Sequence, residues 1–98
     1  MQVMIRYRLE PDQVEENLRL LRSYFHELAT TQPDGLRDAA FQLDDRVSFV
    51  HFVETDEKGP GPLTHLEEFQ RYRATLDERC VEPPVLTVLH EVGAFGLR

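Results

Sequence analysis

His51 is the residue of this chain best suited to chemistry. It stands mid-run in Val47-Ser48-Phe49-Val50-His51-Phe52-Val53, between apolar neighbours. An imidazole held there titrates near neutrality and can take or deliver a proton. The same position equally suits a structural histidine that fills space and makes one hydrogen bond. Arg6 lies in a second strand-like run, Gln2 to Leu9. A buried guanidinium requires an anion or a carboxylate partner, and Glu54, just after the His51 run, is the carboxylate at hand. Arg6 would then either stabilise an enolate or carboxylate substrate or form a plain ion pair with Glu54. Whether Arg6 and His51 share a face depends on strand register, and the turn at Asp44-Asp45-Arg46 allows two registers. Tyr7, Phe49, Phe69 and Tyr72, with Phe25, are aromatics that could line an apolar small-molecule pocket. At core spacing such residues also serve as ordinary core, and a buried phenol needs a partner.

Other chemistries find little support. His26, His51, His65 and His90 form no H-x-x-x-H pair, and no C-x-x-C occurs, so no metal is expected. Cys80 falls at the expected end of a helix, where the dipole raises a thiol pKa and makes a poor nucleophile. Neither G-x-S-x-G, a P-loop nor G-x-G-x-x-G is present, which disfavours serine hydrolase, nucleotide hydrolase and dinucleotide enzyme. The 98 residues make one domain spanning 1–98. A formal charge of -7 disfavours phosphate backbones and anionic lipid, so neither nucleic acid nor membrane is expected as a partner. No apolar stretch is long enough to cross a bilayer, and no signal-peptide pattern opens the chain. With a single cysteine, no internal disulfide forms, and a cytoplasmic location is expected.

The elements that would position these residues follow from periodicity. Val3, Ile5, Tyr7 and Leu9 alternate with Met4, Arg6 and Arg8, which predicts a first strand. Asp12 with Glu15 reads as a capping box. Val14, Leu18, Leu21, Phe25 and Leu28 then form one helical stripe. Pro33-Asp34-Gly35 is a turn, and Leu36 to Leu43 alternates as a second strand. The short Asp44-Asp45-Arg46 link forces a hairpin into the His51 strand. Gly59-Pro60-Gly61-Pro62 forbids regular structure, and Thr55 to Leu63 is either a lid over a cavity or a passive loop. Thr64 with Glu67 is a second capping box, opening a helix with Leu66, Phe69, Tyr72 and Leu76 on its stripe. Pro83-Pro84 is expected to stop it, before a last strand from Val85 to Val92.

The order βαββαβ predicts an α+β, ferredoxin-like domain: a four-stranded antiparallel sheet with two helices on one face. Strands one and three lie in the middle. The His51 strand is apolar on both faces, with Val47, Phe49 and Val53 on one and Val50 and Phe52 on the other. The helices cover one face only, so a second copy of the chain is expected against the other, as a homodimer through sheet faces.

Three segments carry a family resemblance: Val3-Met4-Ile5-Arg6-Tyr7, Phe49-Val50-His51-Phe52-Val53-Glu54 and Leu66-Glu67-Glu68-Phe69-Gln70-Arg71-Tyr72. With the element order, they make the chain resemble the dimeric α+β barrel proteins, and within them the antibiotic-biosynthesis-monooxygenase-like group. The resemblance implies a cavity between sheet and helices and chemistry on aromatic, quinol-like or enolisable small molecules, often without a cofactor. Relatives that oxidise such substrates often rely on a cavity tryptophan or asparagine. This chain has no tryptophan, and its single asparagine is Asn17 on the first helix. Two functions remain open at this point. One is a cofactor-independent monooxygenase-like enzyme or isomerase, with His51 as proton acceptor, Arg6 as charge stabiliser, and Tyr7, Phe49, Glu54, Phe69 and Tyr72 as substrate contacts. The other is a non-catalytic homodimer that binds a small hydrophobic or aromatic ligand or assists another protein.

Overall fold

The structure is a computed structural model that describes residues 1–56 and 61–96. Strand β1 (Gln2–Leu9) leads through a 3-10 turn at Pro11–Gln13 into helix α1 (Val14–Thr31). Strands β2 (Leu36–Gln42) and β3 (Ser48–Thr55) follow as a hairpin. A 3-10 turn at Gly61–His65 then precedes α2 (Glu67–Ala74), a short α3 (Leu76–Arg79) and β4 (Cys80–Leu89). The sheet order is β2-β3-β1-β4, and every neighbouring pair is antiparallel. This is the ferredoxin-like α+β arrangement, with β1 and β3 central. The proposed lid at Thr55 to Leu63 falls partly on residues outside those described.

The hairpin turn is held by one carboxylate. Asp45 accepts from the backbone N–H of Val47 and Ser48 and from the Ser48 hydroxyl. Those bonds keep the Asp45 carboxyl below its ordinary pKa. Arg46 takes the left-handed conformation, with φ 69°. The resulting register sets Tyr7 opposite Phe49, Ile5 opposite His51 and Val3 opposite Val53. On the other side of β3, Ala40 lies opposite His51 and Asp38 opposite Val53. All of these residues share the helix-facing side, because side chains alternate along a strand.

Several expected boundaries move. Neither capping box forms: α1 starts after Gln13 and α2 after Leu66, and neither residue caps with its side chain. Pro11 seeds a 3-10 turn that takes Asp12 into it. The α2 cap comes from outside, since the Glu27 carboxylate on α1 accepts the backbone N–H of Glu68 at 3.0 Å. Regular structure begins at Gly61, inside the expected breaker. The second helix ends not at the proline pair but at Thr75, where the chain breaks and restarts as α3. There Arg79 Nη2 donates to the Tyr72 carbonyl at 2.9 Å. Pro83 and Pro84 lie inside β4 instead of before it. They are tolerated because β4 is an edge strand, and its register against β1 shifts between Arg6 and Arg8.

The core lies between sheet and helices and is built on Tyr7, Leu9, Leu20, Leu21, Tyr24, Phe49, Tyr72 and Leu76. The buried face of α1 is centred one step from the expected stripe, on Asn17, Leu20, Leu21 and Tyr24. Val14, Leu18, Phe25 and Leu28 pack at its margin. On the opposite sheet face, Phe41, Phe52 and Val85 are 51 %, 43 % and 62 % exposed, and Phe41 meets Phe52 edge to face. The helices also leave β4 partly bare, so Leu86 and Val88 are exposed on the helix side.

Candidate active site

Between the sheet and α2 lies a cavity of about 230 Å³, walled mostly by apolar side chains. Ile5, Val53, Leu63, Phe69 and Leu76 form its greasy surface, and Leu86 lies at its edge on β4. Its polar lining includes His51, Asp38, Tyr24, Tyr72 and Arg73. An apolar space with a few convergent polar groups is the usual form of a small-molecule site, and this volume suits a compact ring system.

His51 is 4 % exposed and has a polar neighbour at each end of its ring. Its Nε2 lies 3.3 Å from the Tyr7 hydroxyl and 3.3 Å from that of Tyr72. Its Nδ1 lies 3.8 Å from Asp38 Oδ1, too long for a hydrogen bond but close for a charge. The Asp38 side chain is 3 % exposed. Its Oδ2 accepts a hydrogen bond from Tyr24, while Oδ1 has no hydrogen-bond partner. A buried carboxylate oxygen without a donor is costly, so this atom calls for a structural or chemical role.

Behind His51 the polar groups continue. Tyr72 donates to Tyr7 at 2.8 Å, and Asn17 Nδ2 donates to Tyr7 at 3.0 Å. Arg79 Nε donates to Asn17 Oδ1 at 3.2 Å, and its guanidinium lies 5.6 Å from the centre of the Tyr72 ring. Arg79 is 2 % exposed and Asn17 is fully buried. A connected chain therefore runs from a buried cation, through an amide, two phenols and an imidazole, to a buried carboxylate.

The residues singled out by sequence divide into two groups. His51, Tyr7 and Tyr72 come together, and Phe69 and Tyr72 line the cavity. Arg6 does not join them. It pairs with Val50 in the β1–β3 register, one residue out of phase with His51, so it is exposed on the opposite sheet face. Glu54 shares that opposite face and bonds Gln2 and Arg37 (3.6 Å), not Arg6. Phe49 is 1 % exposed and stacks on Tyr7 at 5.6 Å, as core behind the site and not as its wall. Cys80 is the half-buried first residue of β4, and burial pushes its thiol pKa up. Among the described residues no group of three His, Cys, Asp or Glu forms a metal site, and no helix is long and apolar enough to cross a membrane.

No family model and no curated protein matches the chain. Solved structures do, along nearly its whole length. Rv0793 from Mycobacterium tuberculosis is 22% identical with a TM-score of 0.75, covering 95% of this chain and 95% of that one. Two others carry the name "Putative antibiotic biosynthesis monooxygenase". The one from Bacteroides thetaiotaomicron has 18% identity and a TM-score of 0.76, over 100% of this chain and 93% of that one. The one from Nitrosomonas europaea has 14% identity and a TM-score of 0.74, over 97% and 92%. The chain shares the fold of these structures, a four-stranded antiparallel sheet with its helices on one face.

Four residues at this site carried no role in the sequence: Asp38, Tyr24, Asn17 and Arg79. Each had a faint signal. Asp38 is an acid inside a strand whose alternation, Ala39, Phe41 and Leu43 against Asp38, Ala40 and Gln42, does not say which face turns inward. Asn17 falls among the apolar positions of α1, three residues after Val14 and four before Leu21. Tyr24 adjoins Phe25, and only one of the two sits at the centre of the buried face. Arg79 lies four residues before Pro83 and three beyond Leu76, where the apolar stripe of the second helix ends.

The fold buries all three tyrosines of the chain. Burial pushes each phenol above its usual 10.0. For Tyr24 the nearby Asp38 charge adds to the rise, and for Tyr72 the contact with Tyr7 adds to it. For Tyr7 the bonds from Tyr72 and Asn17 offset part of it. A raised folded-state pKa contributes stability that is fully present below the unfolded value of 10.0 and is lost as pH rises above it. Phenolate absorbance should therefore stay flat past pH 10 and then rise cooperatively with unfolding. A simple titration of any phenol near 10.0 in the folded protein would contradict this burial.

Proposed function

We propose that the chain is a small cofactor-independent, monooxygenase-like enzyme acting on an aromatic, quinol-like or enolisable compound. One observation carries the reading: the unpartnered Asp38 oxygen beside His51 in an apolar, ring-sized cavity. The pair accepts a proton from an acidic C–H or O–H of the substrate. Asp38 offers the free oxygen, and His51 shares the charge through Nδ1. Arg73, half exposed at the cavity and 3.8 Å from Asp77, takes the charge-stabilising role first given to Arg6. Phe69 and Tyr72 supply ring contacts.

For an anthrone-type substrate the balance closes without an added reductant. The ring CH2 loses a proton to the Asp38–His51 pair. The carbanion then takes up dioxygen and a proton to give a hydroperoxide. Loss of water leaves a carbonyl, with one oxygen atom in the product and one in water. The test is oxygen uptake and product formation with anthrone and hydroquinone substrates. Uptake of one dioxygen per quinone formed supports the reading. No uptake across the panel, with no thermal shift from any aromatic ligand, overturns it.

The assembly is proposed as a homodimer through the bare sheet faces. Phe41, Phe52 and Val85 are exposed on that face, and each forgoes roughly 1.5–3 kcal/mol of burial when left in water. Sedimentation at micromolar concentration should show a two-chain species that Phe52→Arg converts to single chains. A single-chain species for the parent protein would remove the dimer.

A further inference from the structure

We infer that Arg79 sets the direction of the buried hydrogen-bond chain and so holds His51 as the neutral tautomer with its proton on Nδ1. The steps are forced by donor and acceptor inventory. A guanidinium only donates, so the group that Arg79 Nε meets at 3.2 Å on Asn17 must be the carbonyl oxygen. The Asn17 amide nitrogen is then the end that faces Tyr7, at 3.0 Å, and it also only donates. The Tyr7 oxygen therefore receives a proton from Asn17 and cannot return one.

Two phenol protons remain, on Tyr7 and Tyr72, whose oxygens are 2.8 Å apart. If Tyr72 donates to Tyr7, the Tyr7 proton can go only to His51 Nε2. If Tyr7 donates to Tyr72, the Tyr72 proton goes to the same nitrogen. Either circuit closes only when Nε2 accepts. A proton on Nε2 would leave a phenol proton without an acceptor among the described residues, in a place where Tyr7 is 1 % and Tyr72 4 % exposed. The imidazole proton therefore sits on Nδ1, the nitrogen that faces Asp38.

Arg79 and Asn17 do not line the cavity. They are positioning residues that act on His51 through Tyr7 and Tyr72. Their effect is to present Asp38 Oδ1, not a bare imidazole nitrogen, as the basic atom nearest the cavity. This holds whether or not the cavity proves catalytic.

The experiment is nitrogen NMR of the histidine-labelled, ligand-free protein near neutral pH. The His51 signal is assigned by its loss in His51→Gln. The expected spectrum shows a protonated Nδ1 and a bare Nε2. Asn17→Asp should relax the constraint: the carboxylate stays with Arg79 but can only accept, so Tyr7 donates to it, and Tyr72 is left with Tyr7 and Nε2 as acceptors. A proton on Nε2 then no longer strands a phenol proton, so the fraction of protonated Nε2 should rise. A protonated Nε2 in the parent protein overturns the inference, and a bare Nε2 with a protonated Nδ1 supports it. If that variant does not fold, the parent spectrum alone decides.

Discussion

Asp38→Asn is expected to slow turnover of an anthrone substrate by roughly 10²–10⁴-fold, the usual worth of a positioned proton acceptor. The substitution keeps the shape of the side chain, and its amide oxygen can still accept the Tyr24 hydroxyl. What it removes is the negative charge 3.8 Å from His51 Nδ1 and the only buried side-chain oxygen without a hydrogen-bond partner among the described residues. The loss should therefore fall on kcat more than on KM, because ring contacts with Phe69 and Tyr72 are untouched. Far-ultraviolet circular dichroism should be unchanged. Turnover within threefold of the parent would take Asp38 out of the mechanism and leave the cavity as a binding site.

Phe49→Ala is expected to cost about 3–5 kcal/mol of folding stability, the usual range for emptying a buried aromatic position. That is a large part of the roughly 5–15 kcal/mol that holds a typical domain together. Phe49 is 1 % exposed and lies nearly parallel to Tyr7, at an interplanar angle of 6°. It supports the ring that carries the phenol chain, so its loss loosens the platform beneath His51. Denaturant unfolding should show a lower midpoint at an unchanged slope. Phe49→Leu keeps most of the volume and should cost less than about 1.5 kcal/mol. A Phe49→Ala protein with near-parent stability but weakened ligand binding would return Phe49 to the cavity wall, where the sequence had put it.

The βαββαβ order was legible because β1 and β3 alternate strongly and the Asp44-Asp45-Arg46 link leaves room only for a hairpin. His51 was legible because a titratable ring stands out inside an apolar strand. Its partner was not, because Asp38 faces inward only by virtue of the β2–β3 register. A one-residue slip would have placed Arg37 and Ala39 inside instead. Whether Arg6 joined His51 turned on register in the same way, and β1 pairs Arg6 with Val50 and not with His51. The end of the second helix was misread because the side chain of Arg79, not a proline, satisfies the Tyr72 carbonyl near the break. Tertiary partners of this kind leave no periodic trace. They can be read only once the sheet and helices are set against each other.

Helix α2 has eight residues and borrows its cap from Glu27 on another helix. A helix of that length does not persist in water alone. Its order is therefore conditional on docking, and slow amide exchange along it would report the grip of α1 rather than helical strength. Since Phe69 and Tyr72 wall the cavity, undocking of α2 and escape of a bound ring should cross one shared barrier. The residence time of a ligand would then be set by a carboxylate that never touches it.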